Sequence, residues 1–98
     1  MYICFAEYKI QPDYREDYLL EVDKLRLQEA ELVHVYEGTD QPSLFVEVWS
    51  CRDEEHALRV KEERLSERSP WFALSSWIAG GPAKLHVWTF KPVASSKQ

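Results

Sequence analysis

The sequence predicts a single α+β domain in which one four-stranded antiparallel sheet carries two helices on one face. Three observations lead there. Four short stretches alternate residue types with the period of two that belongs to a strand, two others place apolar residues at spacings of three and four, and together they run in the order β-α-β-β-α-β. A chain of 98 residues builds one core of this kind, so residues 1–92 are assigned to one domain and residues 93–98 to a disordered polar tail.

The first strand is expected over Tyr2 to Ile10, where aromatic and β-branched residues alternate with others. Gln11-Pro12-Asp13 then opens a helix, with proline and acid at its start and Tyr14, Tyr18, Val22 and Leu25 along its apolar side, running to about Glu29. Glu31 to Glu37 and Ser43 to Cys51 read as a hairpin around the loop residues Gly38-Thr39-Asp40-Gln41-Pro42. Asp53 is the expected cap of a second, charged helix whose inner side carries Ala57, Val60, Lys61 and Leu65. Ser69-Pro70 restarts that helix after a bend, Gly80-Gly81-Pro82 ends it, and Lys84 to Phe90 forms the last strand. Because crossovers of this kind are right-handed, the order gives a ferredoxin-like βαββαβ plait.

Composition narrows the partners. The net charge is −5 and the acids are spread along the helices, which leaves no basic stripe for a nucleic-acid backbone or an anionic membrane. No apolar run approaches the roughly 20 residues that span a bilayer, and a cytoplasmic location is expected. Cys4 and Cys51 sit in apolar strand settings without a Cys-x-x-Cys pattern and are read as reduced, inert thiols.

The alternation also assigns faces. Val33 and Val35, Leu44, Val46 and Val48, and Leu85 and Val87 are expected against the helices, with the small residues Cys4 and Ala6. The opposite face then carries Ile3, Phe5 and Glu7, Leu32, His34 and Tyr36, Phe45, Glu47 and Trp49, and His86, Trp88 and Phe90. Such a face is too aromatic for water, and a second copy of the sheet related by a two-fold axis is its simplest cover, so a homodimer is expected.

This pattern resembles the dimeric α+β barrel superfamily, which includes antibiotic-biosynthesis monooxygenase-like domains, haem-degrading monooxygenases and NIPSNAP-like proteins. The resemblance spans Tyr2 to Phe90 and rests on element order, length and the Trp71-Phe72 segment. It implies a barrel of two sheets and a pocket between sheet and helices, which in some relatives holds haem, a polyketide or another small organic ligand. The haem-degrading branch uses an Asn on the first strand together with a Trp and a downstream His. Trp71 or Trp77 answers to the Trp, but the first strand has no Asn and no His lies between Glu67 and Lys84, so the resemblance stops short of that mechanism.

Candidate chemistry follows from the face assignment. Glu47 beside His86 forms a general acid–base pair on paper, with Glu7, His34, Phe45, Trp49, Trp71, Trp77 and Trp88 as ligand-binding residues around a small apolar molecule. Glu7, His34, Glu47 and His86 also make a workable set for Zn²⁺ or Fe²⁺, yet they lack fixed ligand spacing and are better read as a network of paired polar groups, so no metal is assigned. No cofactor can be named from these residues. Tyr8, Tyr14 and Tyr18 form a relay only if they converge, and the run Arg59, Lys61, Arg64 and Arg68, interleaved with Glu62, Glu63 and Glu67, reads as a solvated helix face. Two readings stay open: a monooxygenase-like or isomerase-like pocket enzyme, and a non-catalytic dimeric module that binds a ligand or regulates a partner.

Overall fold

The computed structural model of the chain describes residues 1–93, so the disordered tail expected at 93–98 lies, Val93 apart, outside the described residues. Strand β1 (Tyr2–Lys9) leads through a short 3-10 turn at Pro12–Tyr14 into helix α1 (Arg15–Gln28). Strands β2 (Val33–Glu37) and β3 (Leu44–Cys51) form the hairpin, helix α2 (Glu54–Leu65) follows, and strand β4 (His86–Phe90) closes the sheet. The sheet order is β2-β3-β1-β4 with antiparallel pairing throughout, which is the predicted plait.

Local chemistry explains the element ends. The Asp53 carboxylate accepts the His56 backbone N–H at 2.8 Å and caps α2, and the Ser69 hydroxyl accepts the Trp71 N–H at 3.1 Å. After that second cap the chain winds as a 3-10 helix over Pro70–Trp77, not as a continuation of α2. It then locks onto the end of β1. Ile10 bridges Ile78, Gln11 N donates to Trp77 O at 2.9 Å, and Ala79 N donates to Lys9 O at 2.8 Å. The turn that releases the chain towards β4 needs φ of 85° at Gly80 and 86° at Gly81, values that only glycine adopts without strain. A 3-10 turn at Pro82–Lys84 consumes the residues expected to begin the last strand, and β2 likewise begins at Val33, two residues later than expected.

The core lies between the sheet and the helices. As expected, Cys4, Ala6, Val33 and Val87 point into it, while Ile3, Phe5 and Glu7 take the other face. Strand β3 is the correction. Its register pairs Cys4 and Val33 with Trp49, Ala6 and Val35 with Glu47, and Tyr8 with Phe45, and directly opposed residues share a face. Phe45, Glu47, Trp49 and Cys51 are therefore buried under the helices, and Leu44, Val46 and Val48 face outward. The reason is steric and electrostatic together. The small side chains of Cys4 and Ala6 leave room beside them for an indole and a carboxylate, and the carboxylate meets a helix cation there.

That cation corrects α2 as well. Its buried side is His56, Ala57, Val60 and Arg64, whereas Leu65 is 45 % exposed. On α1, Tyr18, Val22 and Leu25 are buried as expected, but Tyr14 is turned out and stacks on Trp77 at 6.3 Å.

A second ion pair holds the hairpin. Arg15 donates from Nε and Nη2 to the Glu37 carboxylate at 3.0 and 2.7 Å, and the Ser43 N–H donates to the same group at 2.7 Å. The three bonds explain why buried Ser43 tolerates a φ of 69° at the hairpin's end. They also hold the Glu37 carboxyl down at about 2, the Arg15 contact first and the Ser43 N–H second. A depressed carboxyl stabilises the fold above its unfolded value, and this contribution disappears as pH falls through the folded one. Glu37→Gln is expected to cost about 1 kcal/mol at neutral pH, a figure reduced for the exposure of the pair. Urea titrations at several pH values should show the gap between variant and wild type closing between pH 4.5 and 2; a gap that persists at pH 2 would mean that the carboxylate charge is not what holds the loop.

Candidate functional site

The chemistry of the core centres on Glu47, whose carboxylate is fully buried in the middle of β3. Arg64, one turn beyond Val60 on α2, grips it in fork geometry, Nε to Oε1 and Nη2 to Oε2, each at 2.8 Å. Trp49 donates its indole N–H to Oε1 at 2.9 Å, and the Tyr8 hydroxyl donates to Oε2. A carboxylate offers about four acceptor sites, and all of them are taken. Tyr8 has spent its only proton on Glu47, so in the 2.7 Å contact between the two phenols Tyr18 is the donor. Tyr8 and Tyr18 thus converge as a relay would need, whereas Tyr14 does not.

Burial and the neighbouring carboxylate push the Tyr8 phenol well above its ordinary range, and burial raises Tyr18 too. Burial alone would make Arg64 lose its proton more readily, but the Glu47 charge overrides it and the guanidinium stays firmly protonated. Cys4, deep in the same core, is pushed up to about 12 by desolvation first and by Cys51 and Glu47 next, and both cysteines are free thiols. Neither is built to react.

Beside this network lies a cleft of about 540 Å³. It exists because α1 stops at Gln28 and α2 at Leu65, and the two connections that follow diverge above β3. One wall is the segment from Glu29 to Glu31, the other runs from Ser66 to Trp71, and the inner lining is Trp49, Val60 and Arg64. Trp49 and Trp71 meet edge to face at 4.9 Å, and the Arg64 guanidinium carbon lies 5.6 Å from the Trp71 ring and 5.8 Å from that of Tyr8. The outer wall is tied down twice. Trp71 donates its indole N–H to Glu29 at 2.9 Å, and His56, whose Nδ1 accepts the Arg52 N–H, donates from Nε2 to Glu31. Arg64 brings five N–H bonds to this place, yet its Nη1 is buried without a partner.

The residues singled out from the sequence therefore divide between two places. Trp49 and Trp71 line the cleft, and Glu47 stands behind it. Phe45 is in the same core, 4.2 Å from Tyr18, but borders a separate shallow pocket, and Trp77 stacks on Tyr14 outside the cleft. Glu7, His34, His86 and Trp88 are on the open face, where His86 stacks on Trp88 at 5.7 Å. Glu47 and His86 are thus on opposite sides of the sheet and do not form a pair. Among the described residues no cluster of His, Cys, Asp and Glu is arranged to hold a metal ion.

Sequence reasoning placed Arg64 on a solvated helix face, where the structure buries it against Glu47, and passed over Glu29, Glu31 and His56. The signal for Arg64 was present: positions 57, 60 and 64 recur at spacings of three and four, so a buried Ala57 and Val60 carry Arg64 inward with them.

No family model and no curated protein matches the chain. Solved structures do. A candidate antibiotic biosynthesis monooxygenase from Nitrosomonas europaea superposes with a TM-score of 0.67 at 14 % identity, over 96 % of this chain and 100 % of that one. A second such protein, from Bordetella bronchiseptica, gives 0.68 at 15 % identity over 95 % and 97 % of the two chains. The fold they share with this chain is the four-stranded antiparallel sheet with helices on one face. An uncharacterised NIPSNAP domain protein from Burkholderia xenovorans shares the fold as well, with a TM-score of 0.64 at 17 % identity over 96 % of each chain. At such identities these likenesses speak for the shared fold, over nearly the full length of both partners. Among the described residues no helix is long and apolar enough to cross a membrane.

Breaking one side of the buried pair should be far more damaging than replacing both. Arg64→Met or Glu47→Leu alone leaves an uncompensated charge in the core and is expected to cost about 3–5 kcal/mol, whereas the double exchange should cost much less than the sum. A double-mutant cycle by urea denaturation reads this directly; additive losses would mean that the two groups are solvated independently.

Proposed function

We propose that the chain works as a homodimer in which each copy holds a small apolar or aromatic molecule in the cleft between sheet and helices, as a monooxygenase-like or isomerase-like enzyme. The observation that supports it is the cleft itself. Two indoles and a valine form apolar walls, a buried guanidinium supplies one spare donor, and the volume is in the range of small-molecule sites. The rim carboxylates of Glu29, Glu31 and Glu63 are the groups near the cleft that can move a proton, because Glu47 is fully engaged.

Homodimer formation is supported by the open sheet face. Trp88 and Phe90 are 44 % and 49 % exposed there, Tyr36 is 56 % exposed, and Ile3, Phe5, Val46 and Val48 lie beside them. The same face holds Glu7 with His34 and His86, so it offers both acceptors and donors to a copy of itself across a two-fold axis. The free buried thiols fit the reducing cytoplasm as its location.

A second reading, a non-catalytic ligand-binding or regulatory module, is favoured by one observation: the best-formed polar network in the molecule has no acceptor site left for a substrate proton. Native mass spectrometry of freshly purified protein tests the common ground of both readings. A dimer that carries additional small-molecule mass is the expected result, and Trp88→Glu should weaken the dimer by about 30-fold or more while the mass stays with the monomer. A wild-type monomer would overturn the two-sheet assembly, and a ligand lost with Trp88→Glu would move the binding site to the open face. Turnover of the released molecule by the stripped protein separates enzyme from module.

A further inference from the structure

We propose that the outward sides of α1 and α2 form a docking surface for a second copy of this chain, with α1 of each copy lying antiparallel along α2 of the other. This surface is distinct from the open sheet face, because both helices pack on the opposite side of the sheet.

The leucines come first. Leu20 and Leu27 stand two turns apart on α1, 73 % and 84 % exposed, on the side opposite the buried Tyr18, Val22 and Leu25. Leu58 and Leu65 repeat that spacing on α2, each 45 % exposed. One leucine in water calls for no explanation. Two pairs with the same spacing, on two helices of one layer, make a surface, and a helix with apolar residues on the side away from its own core has a second partner to meet.

Charge selects the partner. Between Leu20 and Leu27 come Asp23 and Lys24, one on each flank of the leucine row, and between Leu58 and Leu65 come Lys61 and Glu62, again one on each flank. Asp23 and Lys61 hold the same flank of their rows, and Lys24 and Glu62 hold the other. The signs are therefore reversed between the helices. Two antiparallel helices that face each other bring like flanks together, so setting Leu20 against Leu65 and Leu27 against Leu58 places Asp23 beside Lys61 and Lys24 beside Glu62.

The alternatives fail on the same geometry. Pairing α1 with another α1 over its leucines sets Lys24 against Lys24 and Asp23 against Asp23, and pairing α2 with α2 repeats the fault at Lys61 and Glu62; like charges at a contact repel. Among the described residues Asp23, Lys61 and Glu62 make no ion pair within the chain, and Lys24 reaches Glu21 alone, at 3.7 Å with its own side chain mostly exposed. These charges are free to meet another copy.

The topology allows the contact to occur twice. Strands β1 and β3 are antiparallel, so the helices that return from them run in opposite directions, and a two-fold axis along the helices lays α1 of each copy on α2 of the other. The contact is small beside a standard interface. It is expected to form at concentrations on the order of 100 μM, above those at which the sheet faces meet.

Sedimentation velocity of the full chain from about 5 to about 500 μM tests this. The expected result is a reversible doubling of mass at the upper end of the range. Leu27→Glu should weaken that step by about 10-fold or more, and Lys24→Glu, which brings two acids together, by several-fold. Lys24→Glu combined with Glu62→Lys re-forms the pair with its signs exchanged and should recover wild-type association. Trp88→Glu separates the two surfaces, lowering the starting mass and leaving the doubling step in place. A mass that stays constant over the whole range would overturn a second copy as the occupant and leave the leucines to an unlike protein; a doubling that Leu27→Glu does not weaken would overturn the surface. A doubling weakened by each single charge reversal and not recovered by the two together would overturn the pairing of α1 with α2.

Discussion

A carboxylate buried in the middle of a strand is tolerable only when every acceptor site on it is satisfied and its charge is matched. Glu47 meets both conditions through Arg64, Trp49 and Tyr8. Much of the rest is arranged around that requirement. Strand β3 must turn its odd-numbered residues inward to deliver the carboxylate, α2 must present Arg64 in its last turn, and Tyr18 on α1 must stand beside Tyr8. Hydrophobic burial drives the collapse of such a core, but it would accept either face of β3. The ion pair accepts only one, and in this molecule it is what fixes the strand's orientation.

That choice also explains where legibility ended. The element order, both caps, the proline starts and the glycine stop were readable, because each rests on chemistry within a few residues. The faces of β1, β2 and β4 were readable as well, since one side of each is smaller or more aliphatic than the other. In β3 both sides are apolar, Leu44, Val46 and Val48 against Phe45 and Trp49, and the aliphatic side was the one expected against the helices. What decides the matter lies 17 or more residues from Glu47, in a cation on α2 and in the narrow side chains of Cys4 and Ala6. A pocket between sheet and helices was expected from the resemblance, but its rim was not readable for a similar reason: the cleft is the space between two helix ends, and its wall residues Glu29, Glu31 and Ser66 to Ser69 belong to connections whose paths no periodicity describes.

The two faces of the sheet consequently differ in kind. The inner one is chemically closed: among the described residues its buried side-chain polar atoms are matched to one another, Arg64 Nη1 and Ser75 Oγ apart. The outer one is chemically open, its imidazoles and carboxylate spaced among aromatic and aliphatic side chains and unmatched among the described residues. The two surfaces, one saturated and one not, are thus separated by the thickness of one strand layer.

The bridge between Ile10 and Ile78 bears on time as well as on shape. It joins positions far apart along the chain, and such a contact is among the last to form because the intervening loop entropy must be overcome first. Before it closes, the Pro70–Trp77 segment is not anchored to β1, and the cleft has no second wall.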